Sequence, residues 1–174
     1  MLVFNFTSLK FMQTRKYDFE TQHKVGQVGE TFLDQWLRPI YKVLNVSNEM
    51  KYQKAGIDRV VTRSDGSVIT IEYKCDLAAK RTGNLFFETT SNDKEAIPGW
   101  GWSSQADYWI VLIPDQEILV FKPGNLRALV WELQKTVHKR IIPNIGYNTV
   151  GYPIPLTQAR KIAFQIKTLY LESL

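Results

Sequence analysis

Cysteine, histidine and long apolar runs are all scarce in this chain of 174 residues. A single cysteine, Cys75, leaves no partner for an internal disulfide and no set of thiolates for a zinc site. It suits a reducing compartment, so a cytoplasmic location is expected. Two histidines, His23 and His138, are too few and too scattered for a histidine-based metal cluster. No window approaches the roughly 18 apolar residues of a membrane helix, and no membrane partner is expected. The opening segment, MLVFNFTSLKFMQTRKY, has neither the charged n-region nor the continuous apolar h-region of a secretory signal. It contains no acid before Asp18, and it reads either as a first strand or edge segment or as a basic arm.

What is present is the composition of a folded globule, 44% hydrophobic and 13% aromatic. The length fits one domain over residues 1–174, with a core at about 18–134 and a C-terminal β/helix extension at about 135–174. A formal net charge of +5 favours a polyanionic partner.

The element order follows from periodicity and turn residues. Val25, Val28, Phe32 and Trp36 recur at steps of three and four and predict a helix over 18–37 with that line buried, stopped at Pro39. Residues 43–53 suggest a strand. Residues 57–62 and 68–75 form a hairpin around Ser64-Asp65-Gly66. A basic loop at 80–83, a strand at 84–90 and a long loop at 91–105 follow. Two apolar strands come next, at 108–113 and 118–121, then a helix from Pro123 to about Gln134. A loose segment rich in Pro and Gly has room for a short hairpin, and a last helix runs from Pro155 to about Leu171. This order predicts an α/β architecture, a mixed β-sheet flanked by helices.

The chemistry concentrates in the hairpin. Side chains alternate along a strand, so Glu72 and Lys74 project together, and the turn returns Asp58 beside them. Two carboxylates with a backbone carbonyl, that of Tyr73, suit a hard divalent cation such as Mg²⁺, for which Mn²⁺ would substitute. Such an ion lowers the pKa of a water and neutralises charge on a scissile phosphate. Lys74 would stabilise the transition state or orient the nucleophile. Each residue alone reads as an ordinary surface side chain; together they point to phosphodiester hydrolysis.

Gly-Ile-Asp58 on one arm and Ile-Glu72-Tyr-Lys74 on the other resemble the PD-(D/E)XK superfamily, that of restriction endonucleases and archaeal Holliday junction resolvases. Asp58 matches the first acid, Glu72 the second and Lys74 the lysine, while Ile57 stands where the family's leading proline is usual. The resemblance covers about residues 27–113. It implies a restriction-endonuclease-like αβ sandwich with a central mixed β-sheet flanked by helices, and dependence on Mg²⁺. The family's preceding helix commonly adds a carboxylate, and Glu30 is the matching residue here. On its own helix Glu30 lines up with Gly26, Leu33 and Leu37, and the glycines of that turn serve either close packing or catalysis.

Further residues are candidates for the site and its ligand. Glu88 shares strand parity with Phe86 and Thr90, and Gln27 neighbours Glu30. Asp76, just past the strand, reads as a turn cap. Lys80, Arg81 and Asn84 follow the catalytic strand closely, and Lys139 and Arg140 form a second basic cluster; both suit phosphate contacts. Trp100 and Trp102 either stack on an unpaired base or fold back over the core. The expected function is a metal-dependent DNA endonuclease, structure-selective like a resolvase or site-specific like a restriction or homing enzyme. Its partner is duplex or branched DNA, and a homodimer is expected if both strands are cut. The alternative is a non-catalytic nucleic-acid-binding protein that keeps the nuclease fold.

Overall fold

The computed structural model describes residues 19–169, so the acid-poor N-terminal segment lies outside the described residues. The chain is α/β, with a mixed six-stranded sheet, a separate four-stranded sheet and helices packed around them. Helix α1 (Phe19–Leu37) leads to β1 (Lys42–Asn45), a short α2 (Met50–Ala55), β2 (Arg59–Thr62) and β3 (Val68–Cys75). One turn of helix, α3 (Ala79–Thr82), precedes β4 (Asn84–Asn92), β5 (Ile97–Pro98) and α4 (Trp100–Ser103). Then come β6 (Tyr108–Ile113), β7 (Glu117–Phe121), α5 (Pro123–Leu133), β8 (Arg140–Pro143), β9 (Asn148–Pro155), α6 (Leu156–Ile162) and β10 (Gln165–Thr168). Among the described residues no helix is long and apolar enough to cross a membrane.

The larger sheet has the order β1-β2-β3-β6-β7-β10, and β3 and β6 run parallel within it. A parallel neighbour requires a long crossover, and this one contains α3, β4, β5 and α4. Strand alternation then divides the core. Ile71, Tyr73, Ile110, Leu112 and Ile118 pack on one face with Leu33 and Leu37 of α1. Trp109, Val111, Ile113, Leu119 and Phe121 pack on the other with Leu126 and Val130 of α5 and Phe87 and Ile154 of the smaller sheet. Every residue of β6 and β7 is therefore buried, which is why they read as unbroken apolar runs.

Several expectations change, and the segment at 91–105, expected as a long loop, contains β5 and α4. The buried line of α1 is Gly29, Leu33 and Leu37 with Asp34; Val28 is exposed, Phe32 and Trp36 are half-buried, and the side chain of Val25 lies outside the described residues. Both lines have helical spacing, but the helix approaches β3 at Gly29, where a Cβ would lie 3.2 Å from the Cβ of Cys75. Residues 43–53 form a short strand and then a helix rather than one strand. The basic loop at 80–83 is a helical turn, ended by Gly83 in the left-handed region at φ 70°. The last helix stops at Ile162, and Gln165–Thr168 pair antiparallel with β7, because that strand's open edge offers backbone partners. The smaller sheet, β5-β4-β9-β8, had not been expected as a separate layer.

Candidate active site

The β2–β3 hairpin forms around Gly66 at φ 82°, with the N–H of Arg63 donating to the C=O of Ser67 at 2.9 Å. Strand β2 begins only at Arg59, opposite Ile71, so β3 has no flanking strand on that side beyond Ile71. Asp58 turns into this gap, and its Oδ2 accepts the N–H of Tyr73 at 2.7 Å. In an extended strand the N–H and C=O of one residue point to the same flank, so the Tyr73 carbonyl also faces the gap. Gly56, at φ 61° after α2, makes room for the bend; a Cβ there would lie 3.0 Å from the Cα of Ser104 and 3.3 Å from Oε2 of Glu72.

Glu72 and Lys74 leave β3 on the face opposite Tyr73. Lys74 Nζ lies 2.7 Å from Oε1 of Glu72 and 5.5 Å from the centre of the Trp100 ring. Glu72 is 3% exposed, and its Oε2 has no hydrogen-bond partner. The Ser104 hydroxyl stands beside this carboxyl and pulls its pKa down, and it also lies 3.1 Å from the C=O of Gly56 and accepts Trp109 Nε1–H. Glu30 reaches the gap from α1 on the other face. Gly26, Gly29, Glu30, Leu33, Tyr73, Lys74 and Cys75 line a small open cleft there.

Below the cleft lies a closed ionic network that sequence reading missed. Arg59, 2% exposed, donates from Nε to Asp34 Oδ1 at 2.7 Å and from Nη2 to Glu30 Oε2 at 2.9 Å. Its Nη1 donates to Asn45 Oδ1 and to the Asp58 carbonyl, and the Tyr73 hydroxyl donates to Asp34 Oδ1 at 3.1 Å. The one sequence clue was Asp34 four residues after Glu30, on the same helical side; nothing marked Arg59 as its partner.

The electrostatics follow from burial set against pairing. Desolvation, then repulsion by Asp58, raises the Glu30 pKa despite its bonds to Arg59. Desolvation raises that of Glu72 despite Lys74. Burial alone would lower Lys74, but Glu72, Asp58 and Glu88 outweigh it and hold the ammonium above its ordinary value. The acids are thus crowded and short of cation.

The structure therefore brings together Glu30, Asp58, Glu72, Lys74 and the Tyr73 carbonyl. It adds Glu88 from the smaller sheet, on the expected parity: its Oε1 accepts the N–H of Trp100 at 3.4 Å, and burial raises its pKa against the pull of Lys74. Gln27 is exposed, and it is its backbone carbonyl that accepts the Thr31 hydroxyl; its side chain does not line the cleft. Asp76 caps as expected, accepting the N–H groups of Ala78, Ala79 and Phe86. Lys80 lies beside Asp115, Arg81 is exposed and the Asn84 amide donates to Thr82; among the described residues no contact joins them to the acids. Trp100 folds back against Phe87 and Trp109, and Trp102 meets Phe87 while staying 41% exposed. Lys139 stands over the Tyr152 ring, and Arg140 is exposed on β8.

Among the described residues no three His, Cys, Asp or Glu side chains form a ready-made metal site. The donors nonetheless suit a hard cation. Asp58 Oδ1 and Glu72 Oε2 have no donor among the described residues, and Glu72 Oε2 is buried as well. No family model matches the chain, and no curated protein or solved structure matches it significantly.

Proposed function

We propose that this protein is a divalent-metal-dependent DNA endonuclease with a restriction-endonuclease-like core. The observation that carries this reading is the buried Oε2 of Glu72, which meets no donor in hydrogen-bond geometry among the described residues, beside Asp58 and Lys74. An isolated small α/β domain has no reason to bury a carboxylate oxygen without a donor, since that costs about 1–3 kcal/mol. A ligand that takes the oxygen offsets the cost.

Asp58, Glu72 and the Tyr73 carbonyl are the residues that would hold Mg²⁺, with Mn²⁺ substituting. A bound cation of this kind supplies a water of lowered pKa and neutralises charge on the scissile phosphate. Lys74, kept cationic by three acids, donates to the phosphate oxygen or to the attacking water as charge develops. Arg59 holds Glu30 through Oε2, so Oε1 is the atom that accepts a proton, and the raised pKa suits it to that task. Glu88 of the smaller sheet and Trp100 of α4 flank Lys74, the one by its charge and the other by its ring. The substrate is duplex or branched DNA, read by structure or by site, in a reducing cytoplasm, and a homodimer would cut both strands.

Cleavage of labelled single-stranded, duplex and branched DNA in Mg²⁺, Mn²⁺ or EDTA tests the proposal. Metal-dependent cutting lost in Lys74→Ala is the expected result. Cutting that survives in Lys74→Ala removes the site. Metal-independent DNA binding without cutting assigns a nucleic-acid-binding protein that keeps the fold.

A further inference from the structure

The β8–β9 hairpin carries chemistry that the proposed reaction does not use. Between Glu132 and Glu172 the chain has no Asp or Glu, yet it carries Lys135, Lys139, Arg140, Arg160, Lys161 and Lys167. Arg160 is engaged by Glu117 and Lys135 by Glu132. Lys139 and Arg140 are exposed, and neither is paired with a carboxylate among the described residues. One acid does touch the hairpin, Asp93, and its two oxygens accept the backbone N–H and Nδ2 of Asn148.

The tip is apolar. The N–H of Asn144 donates to the C=O of Tyr147 at 2.9 Å, and Gly146 at φ 89° makes the tight turn. Ile145 at the apex is 96% exposed, and Ile141 on the same arm is 64% exposed. Single exposed apolar side chains are ordinary, but here the apical isoleucine crowns an arm whose own residues carry no acid.

Register ties this arm to the candidate site. Arg140 pairs with Gly151, and Gly151 pairs with Glu88, whose carboxyl feels Lys74. Directly opposed residues share a sheet face, so Arg140 and Glu88 project to the same side, about 10 Å apart across two strand spacings. The apex lies roughly 15 Å further along the strands. A polyanion passing the acids and Lys74 would next meet Arg140, with Lys139 held over Tyr152 at the foot of the same arm, and then the isoleucine tip.

We propose that the β8–β9 hairpin is a DNA-binding arm. Lys139 and Arg140 hold backbone phosphates, and Ile145 packs as a wedge against base edges in a groove. The choice of DNA as ligand rests on the endonuclease reading; the arm's position and charge do not.

The test is anisotropy of labelled duplex and junction DNA with the full chain in EDTA, across a salt series. Lys139→Glu with Arg140→Glu is expected to weaken binding at least tenfold and to flatten the log–log salt slope by about 2. Ile145→Ser is expected to weaken binding several-fold with the slope unchanged, and circular dichroism confirms folding. Variants that bind within twofold of wild type overturn the proposal, as does a wild type that binds no DNA. Unchanged DNA affinity with a dimer-to-monomer shift in Ile145→Ser overturns it too, and gives the tip to a second copy. Hairpin variants that lose binding while wild type never cleaves keep the arm and remove the nuclease; cleavage with unaltered binding in the variants does the reverse.

Discussion

Two glutamates are buried on strands of the same sheet beside a basic side chain, and they differ in one oxygen. Glu117 on β7 is 5% exposed, and both its oxygens accept from Arg160, at 2.7 to 3.1 Å, with Gln116 adding a donor to Oε1. Glu72 on β3 is 3% exposed, takes Lys74 on Oε1 and has no hydrogen bond to Oε2 among the described residues. The first is a closed pair that ties α6 to the sheet. The second is a carboxylate with one oxygen free of any hydrogen bond among the described residues. Burial and a basic neighbour therefore do not tell these two acids apart; the count of satisfied lone pairs does. Glu30 falls between them, with Oε2 held by Arg59 and Oε1 left to the cleft.

The largest expected effect separates the two acids by function. Glu72→Gln should reduce DNA cleavage by on the order of 10²–10³ with the protein still folded, whereas Glu117→Gln should cleave at the wild-type rate. Equal losses in the two variants, measured by single-turnover cleavage, would break the distinction. Next in size is the network under Glu30. Arg59→Leu leaves Asp34 charged, buried and short of its main partner, and should cost about 3–5 kcal/mol in urea unfolding.

Divalent ions sharpen the contrast further. In Ca²⁺ or Mg²⁺ at a hundredfold excess over Kd the wild type should gain about 2.7 kcal/mol in stability. Glu117→Gln should keep that gain and Glu72→Gln should lose it, read by thermal melting. Glu117→Gln itself should cost roughly 1–2 kcal/mol, since its partner Arg160 is partly exposed and solvent screens the loss.

The smallest effect is on pH. The folded pKa values of Glu72 and Glu30 are raised, so the native state keeps these protons to higher pH than the unfolded chain does. Their contribution to stability is therefore greatest at and below the ordinary carboxylate range and falls as pH rises through the raised values. Glu72→Gln should flatten that decline in unfolding free energy against pH.

Asp58, Glu72 and Lys74 were legible because their meeting is local. One hairpin and a two-residue alternation place all three, and no distant segment is needed. Glu88 was half-legible: its strand parity was readable, but its nearness to Lys74 depends on how the smaller sheet packs. Arg59 and Asp34 were not legible, because a buried arginine looks like any other until the helix 25 residues earlier is docked on its strand. The α1 stripe failed for a related reason: two lines had helical spacing, and Gly29 selected the one that touches β3.

What the amino-acid sequence determined by itself was everything governed by near neighbours along the chain: the hairpin and its turn, the apolar runs of β6 and β7, the helix after Pro123 and the meeting of Asp58, Glu72 and Lys74. Tertiary structure alone decided the two-sheet arrangement, the conversion of residues 165–168 into an edge strand and the closed network that holds Glu30. It also decided which buried glutamate is left an oxygen short. These are pairings between residues far apart in the chain, and their partners are set by packing the sheets and helices together, which no local pattern of residues encodes.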